Sequence, residues 1–143
     1  MRQVIFSIIL TVLSTSLLAQ SAVGKWKTID DKTGRVKSVV EITERNGLLY
    51  GKVVQLFRLP EEDQNPKCWE CEDDRKGKLV MGMEILRDMK WNGSMYKGGT
   101  ICDPKNGSIY SCEMWLKPGD SNTLEVRGYW GWVFRTQTWT RTK

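Results

Sequence analysis

Histidine is absent from this chain of 143 residues. Its absence removes the commonest general base and the commonest metal ligand near neutral pH. Ser-His and Cys-His nucleophilic pairs are therefore excluded, as are histidine-metal centres. No G-x-S-x-G nucleophile elbow occurs either. The chain also lacks a basic stripe with interleaved aromatics, the electrostatic footprint of nucleic-acid binding. Its 22 basic and 17 acidic residues are scattered, and the one dense run, Glu70–Lys76, is mixed in sign. Carboxylates such as Glu61, Glu62, Asp63, Asp73 and Asp74 gather in a polar stretch. A working acid/base pair needs one carboxyl raised by an apolar setting, which an acidic loop does not offer. The expectation is a protein that is not an enzyme, with no catalytic residues, no cofactor, no metal and no nucleic-acid partner.

Long apolar runs are missing after residue 18, so no membrane span is expected beyond the start of the chain. Met1-Arg2-Gln3 carries one positive charge, Val4–Leu18 is mostly apolar, and small residues follow at Ala19, Ser21 and Ala22. This is the pattern of a secretory signal peptide, and the run is shorter than the roughly 20 residues of a comfortable span. Residues 1–20 are read as a cleaved signal, cut after Ala19 or Ser21, which places the protein in the periplasm or outside the cell. Removing Arg2 with the signal leaves 21 basic against 17 acidic residues, a net charge of +4. The remaining 123 residues, 21–143, suit one domain with a real core.

Helix-period stripes are missing too. What is present instead is a series of short extended segments separated by turn signals every 8 to 12 residues, the sign of a sandwich or barrel. Strands are expected near Gly24–Ile29, Val36–Arg45, Leu48–Phe57, Met83–Lys90, Met95–Asp103, Ser108–Leu116, Thr123–Trp130 and Arg135–Arg141. Asn46-Gly47 is a strong hairpin signal. Residues 58–79 break the rhythm as a long polar excursion. Eight antiparallel strands joined mainly by hairpins close into an up-and-down barrel, whose interior either packs solid or holds one small ligand. Seven tryptophans fit such an interior.

Trp26 opens the first strand in G-x-W and Arg141 closes the last. In a closed barrel these strands are neighbours, so Arg141 is expected over the Trp26 ring. The pair resembles the signature of lipocalins. A fuller resemblance follows from "GKWKTIDDKTG", "DQNP", "LVMGMEIL", "GGTICDPKNGSIYSC", "LEVRGYWG" and "RTQTWTR". In that order they resemble a bacterial family known as domain of unknown function 2147, over about Gly24–Arg141. The resemblance implies an exported, all-β, lipocalin-like (calycin-type) barrel and no established activity. Tyr96, where a tryptophan is expected, and Cys102, where an apolar residue is expected, depart from its pattern.

Four cysteines in an exported chain favour disulfides. Cys68 and Cys71 form a CxxC, but Glu70, Glu72, Asp73 and Asp74 crowd it and oppose the lowered pKa a reactive thiol needs. A local structural bridge is expected. Cross-pairing with Cys102 and Cys112 stays open, because spacing does not decide connectivity.

Candidate ligand-binding residues are Trp26, Tyr50, Asp103, Arg127, Tyr129 and Trp139. Asp103 is equally explained as a turn former in DPKNG. Arg127 faces solvent if Leu124, Val126 and Gly128 point inward, and needs a partner or an anionic ligand if the register is reversed. The leading expectation is an exported binder of a small apolar, amphipathic or lipid-like molecule. The alternative is an envelope interaction module with a solid barrel and a protein partner.

Overall fold

Apolar residues at every second position and turn chemistry between them produce eight strands in the computed structural model, which describes residues 21–143. The expected signal segment, residues 1–20, lies outside the described residues. The strands are β1 (Gly24–Ile29), β2 (Val36–Arg45), β3 (Leu48–Leu56), β4 (Glu84–Trp91), β5 (Tyr96–Asp103), β6 (Ser108–Lys117), β7 (Asp120–Trp130) and β8 (Val133–Thr142). Each pairs antiparallel with the next, and β8 returns to β1, so they form one closed barrel. No helix long and apolar enough to cross a membrane occurs among the described residues.

The main departure from expectation is at the last hairpin. β7 and β8 run on until Trp130 pairs with Val133 across the two-residue turn Gly131-Trp132. Sequence placed the start of β8 at Arg135, because Gly-Trp-Val-Phe carries little polar turn chemistry. The β1–β8 seam, by contrast, is short. Lys25, Trp26 and Lys27 pair with Thr142, Arg141 and Thr140, and no further pairs continue up the seam. The β8 segment Val133–Trp139 therefore has β7 as its ladder partner and none in β1.

The start of β1, the end of β8 and the β2–β3, β4–β5 and β6–β7 turns lie at one end of the barrel, and the other four connections lie at the opposite end. The first end is closed. Trp26 is fully buried and its indole N–H donates to the Ala22 carbonyl at 2.8 Å. The Arg141 guanidinium lies 4.3 Å from the Trp26 ring centroid. It also donates to the carbonyls of Ser21, Val23 and Ser121. Gly24 has φ of +137°, and a Cβ there would lie 2.7 Å from Arg141 Nη1. The glycine of G-x-W thus leaves room for the arginine. Above this floor, Val40, Ile42, Leu86, Met89, Met114, Leu124 and Val126 fill the interior.

The long excursion is ordered. Residues 57–83 fold back on themselves through Cys68 N–H to Lys78 O at 2.9 Å, Gly77 N–H to Cys68 O at 2.7 Å and Val80 N–H to Pro66 O at 2.9 Å. Arg75, buried with 4% exposure, joins the excursion to the wall. It donates to Asp73 within the excursion and to the Glu84 carbonyl on β4. Arg87 on β4 grips Asp74 through two bonds of 2.8 and 2.9 Å. A buried arginine is tolerated here because its charge and its donors are satisfied.

Candidate functional site

Side-chain direction along β7 decides which residues reach the interior. Leu124 and Val126 are buried in the core, so Gly128 and Trp130, at the same parity, continue up the inner wall. Their partners on β8 are Trp139, Gln137, Arg135 and Val133. On β5 and β6, Ile101 pairs with Tyr110, and a Cβ on Gly128 would lie 3.3 Å from Tyr110 Cβ and 3.5 Å from Ile101 Cγ2. The inner wall therefore changes character with height. At the floor Trp26 and Trp139 are buried, and at the open end Trp130 is 76% exposed. Between them stand Gln137, Tyr110 and Ile101, each partly accessible.

Arg135 stands on this inner wall towards the open end. It forms an ion pair with Asp31 of the β1–β2 loop, which spans the unpaired upper part of the β1–β8 seam. Both partners remain substantially exposed. The pair is therefore worth little on its own, and an anionic group could replace Asp31 without stranding a buried charge.

The proposed binding residues divide between two faces. Trp26 and Trp139 do face inward, but as fully packed floor residues. Tyr50 is outside the barrel, alternating with the buried Leu49 and Gly51. Arg45 stacks on its ring at 3.8 Å, and its hydroxyl donates to Asp88 Oδ1 at 2.7 Å. That hydrogen bond to a carboxylate raises the Tyr50 phenol pKa. Arg127 and Tyr129 are also outside, because Leu124, Val126 and Gly128 take the inner face. Arg127 donates to Thr136 Oγ1 at 2.7 Å and its guanidinium lies 4.4 Å from the Phe134 ring centroid and 5.0 Å from that of Trp115. Tyr129 donates to Glu113 Oε2 at 2.9 Å, and Glu113 pairs with Lys97 at 3.2 Å. This outer network satisfies Arg127 within the protein, and the reading of Arg127, Tyr129 and Tyr50 as pocket lining is corrected accordingly. Asp103 stands at the rim and holds the β5–β6 turn, accepting from Lys105 N at 3.0 Å while its carbonyl accepts from Gly107 N at 2.8 Å.

Sequence reasoning missed Tyr110, Gln137, Arg135, Trp130 and Val133. Alternation counted upward from Leu124 would have found Trp130, and pairing across the last hairpin would have found Val133, Arg135 and Gln137; Tyr110 follows from its alternation with Cys112 and Met114 on β6. That hairpin was hidden by its apolar turn.

Two concavities lie away from the mouth. One, of about 520 Å³, sits at the closed end between Trp91, Tyr96, Leu116 and Pro118. The other, of about 660 Å³, lies between the excursion and β4, lined by Lys67, Arg75, Leu79 and Arg87. Both open widely to solvent. Arg75 and Arg87 in the second are held by Asp73 and Asp74, so their charges are already partnered within the protein.

The cysteines occupy opposite sides of the wall. Cys68 and Cys71 form a disulfide within the excursion. Cys102 and Cys112 are buried free thiols. Cys112 pairs with Gly99 and Gly128, on the inner face, whereas Cys102 alternates with the inward Ile101 and faces out beneath the excursion. Four sulfurs so divided do not converge on one ion.

A closed eight-stranded antiparallel barrel, floored by a tryptophan under an arginine, defines a lipocalin-like protein. The chain belongs to the family described as an uncharacterized protein conserved in bacteria, DUF2147, whose model matches residues 24–141. Among solved structures it is similar to protein HP1028 of Helicobacter pylori, described as belonging to the lipocalin family. The TM-score is 0.69 at 22% identity, covering 86% of this chain and 84% of the other. At that identity the likeness speaks for the fold. No curated protein matches the chain.

Proposed function

We propose that this is an exported, non-enzymatic binding protein that holds a small apolar or amphipathic molecule at the open end of its barrel. The observation that carries this reading is the exposed aromatic wall at the mouth, where Trp130 and Val133 stand beside Arg135 on the inner face. Ligand sites combine apolar surface with a few placed polar groups, and Arg135 with Gln137 would orient an anionic or polar head. The filled floor argues for a shallow seat, with the apolar body against Trp130, Val133 and Tyr110. A signal-like start and the Cys68–Cys71 bridge support a periplasmic or secreted location.

Native mass spectrometry of protein purified from its own envelope tests the reading directly. A bound mass that disappears on denaturation is expected. Titration with an anionic naphthalene-sulfonate dye gives a second measure, and Trp130→Ala should weaken dye binding. Dye affinity unchanged by Trp130→Ala, together with no bound mass, would sink the proposal. A second reading, a protein-interaction module, draws on Trp132, 91% exposed, and Phe134, 55% exposed on the outer side of the same hairpin.

A further inference from the structure

Three of the four sulfurs gather in one place. Cys102 points outward from β5 and is covered by the excursion, with 2% exposure. Its Sγ lies 3.9 Å from Cys71 Sγ, while Cys71 is already bonded to Cys68. A thiol sulfur is thus in contact with a disulfide sulfur, the arrangement from which exchange proceeds. Cys112 takes no part, since it faces the other side of the wall.

We infer that Cys68, Cys71 and Cys102 form a three-sulfur exchange site, in which Cys71 alternates between a bridge to Cys68 and a bridge to Cys102. In the step, Cys102 Sγ loses its proton and attacks Cys71 Sγ. The Cys71–Cys102 bond forms as the Cys68–Cys71 bond breaks. The electron pair leaves on Cys68 Sγ, which takes up a proton. One disulfide and one thiol stand on each side, so no oxidant or reductant is consumed.

The charges around Cys102 set the pace. Desolvation raises its pKa, Arg75 and Arg87 favour the thiolate, and Asp73 and Asp103 oppose it. Desolvation dominates, so exchange is slow near neutral pH and quickens as the thiolate fraction rises. The two bridges differ in reach. Cys68–Cys71 has a sequence separation of 3 and leaves the excursion attached to the barrel by non-covalent contacts. Cys71–Cys102 has a separation of 31 and staples the excursion to β5. The longer closed loop constrains the unfolded chain more.

The test uses the full exported chain. Protein is held at about pH 8.5, near the pKa of a free thiol, then denatured in N-ethylmaleimide at successive times. The monomeric fraction is digested with an endoprotease that cuts after glutamate, because Glu70 separates Cys68 from Cys71. The expected result is label on Cys68 in a growing share of molecules, matched by a Cys71–Cys102 linked peptide. Cys112 carries label throughout. Cys102→Ser should abolish label on Cys68, and Cys68→Ser, whose Cys71 and Cys102 are then both thiols, should form the Cys71–Cys102 bridge when glutathione disulfide is supplied as the oxidant. Label confined to Cys102 and Cys112 in the wild type at every time overturns the proposal, whether or not Cys68→Ser folds.

Discussion

Trp26 and Arg141 illustrate how much one pair of side chains can hold. The tryptophan is wholly buried, and the arginine adds three backbone carbonyls to its stacking contact. Trp26→Ala should cost about 3–5 kcal/mol, the usual range for truncating a large buried aromatic. Arg141→Ala loses stacking worth about 0.5–2 kcal/mol and several charge-assisted hydrogen bonds as well. Its effect should therefore approach that of the tryptophan. Urea midpoints decide this, and an unchanged midpoint for Arg141→Ala would show that the floor closes without it. Two other arginines should separate stability from binding. Arg127→Gln should lower the unfolding free energy by roughly 1 kcal/mol, the scale of a stacked cation, read as a lower urea midpoint, with dye affinity unchanged. Arg135→Gln should leave the midpoint nearly unmoved, as expected for an exposed pair, and weaken anionic dye binding about tenfold, or about 1.4 kcal/mol. The opposite assignment would return Arg127 to the site.

At the scale of elements, the excursion and the last hairpin behave differently. The excursion is tied to the wall through Arg75, Arg87 and the β5–β6 turn. Gly107 in that turn has φ of +75°, and a Cβ there would lie 2.2 Å from the Glu70 carbonyl. Gly107→Ala should therefore push residues 66–80 off the barrel, since both the backbone conformation and the contact oppose a side chain. Amide exchange should accelerate across that stretch while β1–β3 and β7–β8 stay protected. Uniform protection would show that the excursion tolerates the change. The Trp130–Phe134 hairpin instead lacks a ladder partner on the β1 side, so it belongs among the segments that open at low free energy.

For the whole molecule, acid and alkali should act on different parts. The hydrogen bonds from Arg87 hold Asp74 down at about 2, and those from Arg75 also lower Asp73. A carboxyl depressed on folding contributes in full above its unfolded pKa, about 3.9, and loses that contribution as pH falls towards the folded value. The excursion should loosen between about pH 4 and 2, measured by exchange or by proteolysis. In alkali the sign reverses. Burial pushes the Cys112 thiol up to about 12, whereas the unfolded thiol ionises near 8.5. Between those values the unfolded chain binds fewer protons, so stability should fall as pH rises. Cys112→Ala should flatten that alkaline limb, and an unaltered slope would place the loss elsewhere. The barrel itself was written in the sequence by alternation, turn residues and the tryptophan and arginine at its two ends, because these are local signals that survive without coordinates. The local disulfide was legible for the same reason, its cysteines being three residues apart. What only the tertiary structure decided was the face each residue takes. A one-residue change of register moves every side chain to the other side of a strand, and it was the burial of Leu124 and Val126 that sent Arg127 outside. Pairing across an apolar turn put Arg135 within, and folding of the excursion against β5 brought Cys102 to Cys71.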